Sequence, residues 1–88
     1  MNINFILGSL ALDLERVAMG YHRGYEKMAQ IFSKEAIKRK EELEALEVKP
    51  YLRKILNKLD SVLSQKDPRD IAEDALMYST LFQNAALK

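Results

Sequence analysis

Along the first half of the chain, apolar residues recur in alternating steps of four and three: Ile3, Leu7, Leu10, Leu14, Val17 and Tyr21, then Met28 and Ile31. Such steps hold side chains on one side of an α-helix, because they bracket its 3.6-residue turn. On a heptad, Leu7, Leu14, Tyr21 and Met28 take the a position, and Leu10, Val17, Gly24 and Ile31 take d. Ala11, Ala18, Tyr25 and Phe32 fall at e and widen the stripe to the breadth a bundle helix needs. The phase passes from Tyr21 to Ile31 without a shift, and no proline interrupts residues 4–48. The pattern therefore predicts one long N-terminal helix of about 45 residues. Gly8, Gly20 and Gly24 lie inside it and cost about 1 kcal/mol each relative to alanine. They leave open a competing form, broken near Gly20 to Gly24, with four shorter helices closing as a monomeric bundle.

After Phe32 the stripe fades into Lys, Arg and Glu over residues 34–49, which reads as a solvated helix end steadied by pairs such as Glu35 with Arg39. Pro50 suits the first position of a second helix, where its missing N–H would have had no partner. Leu52, Ile55, Leu56, Leu59, Val62 and Leu63 then form one apolar face that stops near Gln65 or Lys66. Asp67 before Pro68 marks a third helix: the Asp side chain can cap free N–H groups, and Asp70 places negative charge at the positive end of the dipole. Ile71, Ala72, Ala75, Leu76, Tyr78, Ser79 and Phe82 are expected inward on it, and Asp70, Glu73 and Asp74 largely outward. The fold class is all-α: a long N-terminal helix plus a helical hairpin, in a single domain over residues 1–88.

A helix of that length could not be covered by a hairpin of the same chain, since the other two helices reach less than half as far. Its opening is also unusually apolar, with 12 of the 19 residues in 3–21 being Ala, Val, Ile, Leu, Met, Phe or Tyr. Phe5, Leu12 and Met19 repeat every seven residues at f, away from the a/d stripe, where a simple bundle helix is polar. The expectation is a bundle completed by homodimerisation, with Phe5, Leu7, Leu10, Leu12, Leu14, Val17, Met19 and Tyr21 at the interface. The apolar run of residues 3–12 predicts neither a signal peptide nor a membrane span. No basic residue precedes it, and Asp13, Glu15 and Arg16 end it well short of the ~20 residues a span requires.

Composition narrows the chemistry. Eighty-eight residues allow one small core, and three glycines with two prolines give too little turn chemistry for a sandwich or barrel. The absence of cysteine removes disulfides, thiolate metal sites and cysteine nucleophiles, and points to the cytoplasm. A net charge of +1 exerts no overall pull on nucleic acid or anionic lipid, so nucleic acid is not the expected partner. The single histidine, His22, stands in a His-x-x-x-Glu spacing with Glu26 rather than Glu-x-x-His, so no metal or other cofactor is expected. The serines lie in no nucleophile motif and no glycine-rich phosphate loop occurs, so an enzyme is not expected.

Arg16 and His22, in the arrangement Arg-x5-His, resemble the motif of the HEPN-type ribonucleases, with Val17 where that family usually carries a polar residue. The resemblance covers those two residues. It implies an alternative: a small nucleic-acid-associated protein in which Arg16 steadies phosphate charge and His22 shuttles protons. The leading expectation remains a non-enzymatic helical interaction or assembly module acting on itself or on another protein.

Overall fold

The computed structural model describes residues 2–87, which are all-helical apart from their connections: α1 (Ile3–Arg23), α2 (Glu26–Glu44), α3 (Pro50–Asn57), α4 (Leu59–Leu63) and α5 (Pro68–Ala86). Helices α3 and α4 continue one another around Lys58, so four rods pack together.

The long N-terminal helix of the sequence reading is corrected here, because the chain turns back at Gly24. Gly24 adopts φ 79°, the left-handed region in which a Cβ is penalised. The Tyr25 N–H donates to the Gly20 carbonyl at 2.7 Å and the Gly24 N–H to the Tyr21 carbonyl at 3.4 Å. This six-to-one and five-to-two pair satisfies carbonyls that the helix end would otherwise leave free. Gly20 serves the same reversal differently. A Cβ built on it would stand 2.9 Å from the Ala29 Cβ and 3.0 Å from the Ala29 nitrogen, so only glycine lets α2 return this close to α1.

The charged run of residues 34–49 is likewise corrected: it is not a solvated end. Ala29, Ala36 and Leu43, seven residues apart, are fully buried against α1 and the α3–α4 rod. Lys40 is buried among them and extends its ammonium to the rim, 2.7 Å from Asp60 on α4 and 3.6 Å from Glu44. A lysine stem can cover apolar surface in this way while its head reaches a carboxylate. The hydrogen bond that the Lys40 ammonium donates to Asp60 holds it above its usual pKa. Arg39 pairs with Glu42 at 3.0 Å rather than with Glu35, which Lys38 takes at 3.5 Å.

Later boundaries follow their local chemistry. Pro50 opens α3, and Asp67 caps α5 by accepting from the Arg69 N–H at 2.9 Å, with Pro68 in the first turn. Around Lys58 the turn tightens, its N–H donating to the Ile55 carbonyl, and leaves Leu56 and Leu59 both fully buried. Helix α5 lies antiparallel along α1. The buried Ser79 hydroxyl donates to the Ala11 carbonyl at 2.7 Å, while Ile3 and Asn4 share one groove with Ala85, and His22 shares another with Ala72. Leu76, expected inward, is instead 54% exposed, and its neighbour Ala75 takes the core position. The core gathers Leu10, Leu14 and Val17 of α1 with Leu43, Leu56, Leu59 and Phe82, all fully buried. Among the described residues, no helix is long and apolar enough to cross a membrane.

Candidate functional site

The eight residues expected at an interface fall into two groups. Leu7, Leu10, Leu14 and Val17 are buried by α2, α5 and the α3–α4 rod of their own chain, and Tyr21 is half-buried against the same core. The premise that a single chain could not cover α1 therefore falls with the long helix. Phe5, Leu12 and Met19 stand apart. They descend the outer side of α1 in a row and are 71%, 45% and 39% exposed.

The surroundings of this row distinguish it from scattered surface leucines. Residues 2–12 carry no charged side chain, and neither do residues 75–87, although charged residues make up 31% of the chain. Because α1 and α5 are antiparallel, these two uncharged stretches lie side by side at one end of the molecule. Six of the ten large apolar side chains exposed among the described residues belong to them: Phe5, Leu12, Leu76, Met77, Leu81 and Leu87. Depletion of charge together with exposed Phe, Met and Leu is the compositional mark of an interface core.

At the other end of the row, Met19 and Leu76 line an apolar groove between α1 and α5 of about 290 Å³, with Ala18 and Ala72 below and His22, Arg23 and Glu73 at its edges. Sequence reasoning missed the contribution of α5. The uncharged stretch 75–87 was the available signal, and it gains meaning only once α5 is known to lie beside 2–12.

Arg16 and His22 do not converge within the chain. Six residues on a helix turn through about 240°, which puts them on opposite flanks. The Arg16 guanidinium lies 5.1 Å from the centre of the Phe32 ring toward α2, whereas His22 faces Ala72 and Glu73 on α5. Nothing in this placement brings a proton shuttle and a phosphate clamp to one point. Tyr25, assigned to the e positions that widen the stripe, is instead exposed at the α1–α2 turn. Among the described residues, no three His, Cys, Asp or Glu side chains are grouped to hold a metal ion.

A buried carboxylate sits between α1 and α2. Burial raises the pKa of Asp13 above its ordinary 3.8; Arg39 opposes the rise, Glu35 adds to it and Arg16 opposes it. The folded chain thus holds this proton more tightly than the unfolded one. The stability it contributes is complete below about pH 3.8 and is lost as pH climbs through the elevated value. Asp13→Asn should therefore be more stable than the parent at pH 7. Urea unfolding of both proteins at pH 7 and pH 3.5 checks this: the advantage should vanish at the lower pH.

Comparison with known protein families, with curated proteins and with solved structures finds no match.

Proposed function

We propose that this protein is a non-enzymatic helical assembly module that works as a homodimer, pairing through the outer face of α1 and α5. One observation carries the reading: the exposed row Phe5, Leu12 and Met19 begins in residues 2–12, which carry no charged side chain and lie beside the equally uncharged residues 75–87. A monomer would leave that row in water, forgoing about 1.5–3 kcal/mol for each large apolar side chain that burial could shelter. Twofold self-association answers this with no second gene product and is the commonest soluble assembly. The cysteine-free composition suits a reducing compartment, and we place the protein in the cytoplasm.

Sedimentation equilibrium at 5–50 µM tests the reading. A species of twice the 10.1 kDa chain mass is expected. Leu12→Glu should raise the dissociation constant at least ~100-fold, since it buries an unpaired charge, while leaving helical content by circular dichroism unchanged. A 10.1 kDa species throughout the range would refute the proposal.

A further inference from the structure

We infer that the α3–α4 rod is a strap: it opens as one piece and uncovers the inner apolar face of the fold while α1, α2 and α5 stay folded and packed. The close interfaces of the molecule are those that α1 makes with α2 and with α5. Small residues build them: Gly20 against Ala29, the buried Ala11, Ala36 and Ala75, and Ser79 with its hydroxyl on the Ala11 carbonyl. The rod rests instead on one stripe of larger side chains, Leu52, Leu56, Leu59 and Val62, buried as a set. The inference stands whether or not two copies pair.

Grooves run along the rod on every side. One of about 280 Å³ separates Val48, Tyr51 and Leu52 from Ile3, Leu7 and Ala85. Another, of about 360 Å³, lies between Asp60 and Leu63 of α4 and Ile37 and Glu41 of α2. A third, of about 370 Å³, lies between Val62 and Gln65 and the Asp74 and Tyr78 side chains of α5. Side chains along such gaps lack dispersion partners on the open side. Polar ties do not compensate. Lys40 donates to Asp60 at 2.7 Å and Gln65 to Asp74 at 2.9 Å, but the Asp60 side chain is 64% exposed, and an ion pair so open to water adds little. The hydrogen bond from Ser79 that joins α5 to α1 is, by contrast, buried.

Local structure does not hold the rod either. Its helices of 8 and 5 residues fall short of the ~12–15 residues at which an isolated helix becomes marginally stable. Neither has a side-chain N-cap, whereas Asn2 caps α1 and Asp67 caps α5. Residues 45–49 and 64–67 lie outside the helices and supply a hinge at each end. Off its apolar face the rod would therefore unwind as a whole, leaving Leu43 and Phe82 of the shared core uncovered.

Native-state hydrogen exchange of the full chain at low urea, read residue by residue by NMR, tests the strap. The amides of Leu56, Lys58 and Val62 should report one common open population, at least ~10-fold above that for Leu10, Leu14 and Phe82. Its urea dependence should be weaker, because opening the strap exposes less surface than global unfolding. Gly8→Ala supplies the control. It strengthens α1, which is folded with the strap open or closed, so it should slow Leu10 and Leu14 by about 2- to 5-fold and leave Leu56 and Val62 unchanged. Equal open populations and urea dependences across these amides, or equal slowing of α1 and the rod by Gly8→Ala, would mean that the rod opens only when the whole chain unfolds, and would overturn the inference.

Discussion

Gly20→Val is expected to cost more than 3 kcal/mol of folding stability, and Gly20→Ala about 1–3 kcal/mol, although alanine and valine are both better helix formers than glycine. The opposition arises from what surrounds the added carbon. A Cβ on Gly20 meets the Cβ, nitrogen and Cα of Ala29 at 2.9, 3.0 and 3.1 Å, and two of those atoms are backbone that cannot rotate away. Relief requires α2 to move off α1, which loosens the contacts that bury Ala36 and Leu43 further along. The neighbouring glycines calibrate the effect. Gly8→Ala places its carbon in open space and should stabilise by about 0.5–1 kcal/mol. Gly24→Ala must keep φ 79° and should destabilise by about 1 kcal/mol with no clash involved. Thermal unfolding resolves the series, because 1 kcal/mol shifts the midpoint of a domain this size by about 4–8 °C. A Gly20→Ala protein as stable as the parent would mean that the hairpin does not close as described.

The same pair of helices shows which features the sequence could disclose. The start of α5 was legible because capping is local: Asp67, Pro68 and Asp70 act within one turn of themselves. The reversal at Gly24 was legible only as the competing form broken near Gly20 to Gly24, because Met28 and Ile31 happen to continue the heptad phase of α1 and favour an unbroken helix. In the structure Ile31 is 59% exposed, and the inward positions of α2 are Ala29, Ala36, Lys40 and Leu43. Two alanines and a lysine do not read as an apolar stripe. They bury well here only because Gly20 admits a close approach and Asp60 meets the Lys40 ammonium, and both partners are distant in sequence. The exposure of Leu76, expected inward together with Ala75, has the same origin: where α5 meets α1 at Ser79, the small Ala75 packs inward and Leu76 is turned out. The row at Phe5, Leu12 and Met19 was legible since a seven-residue repeat needs only one helix to make one face. Its continuation onto Leu76 required knowing how α5 sits.

Leu14→Ala and Leu12→Ala, two residues apart and chemically identical, should have opposite consequences. Leu14 has no exposed surface and packs in the core shared with Leu43, Leu56 and Phe82. Truncating it removes the transfer free energy of the lost carbons and leaves a cavity, at a cost of about 3–5 kcal/mol. That is a large share of the 5–15 kcal/mol by which a domain is ordinarily stable, so urea unfolding should show a greatly reduced midpoint. Leu12 is 45% exposed and has neighbours on one side only. Its truncation should change the unfolding free energy of the isolated chain by less than about 1 kcal/mol. In the proposed dimer each chain contributes its Leu12, so the substitution removes two leucines from the interface, and the dissociation constant should rise by about 10- to 100-fold. The two effects separate by concentration dependence. The Leu14→Ala deficit persists at every protein concentration, whereas the Leu12→Ala deficit disappears on dilution below the dissociation constant of the parent, where dimerisation no longer adds to stability. Equal, concentration-independent losses at the two positions would place Leu12 in the core and remove the exposed row as an interface.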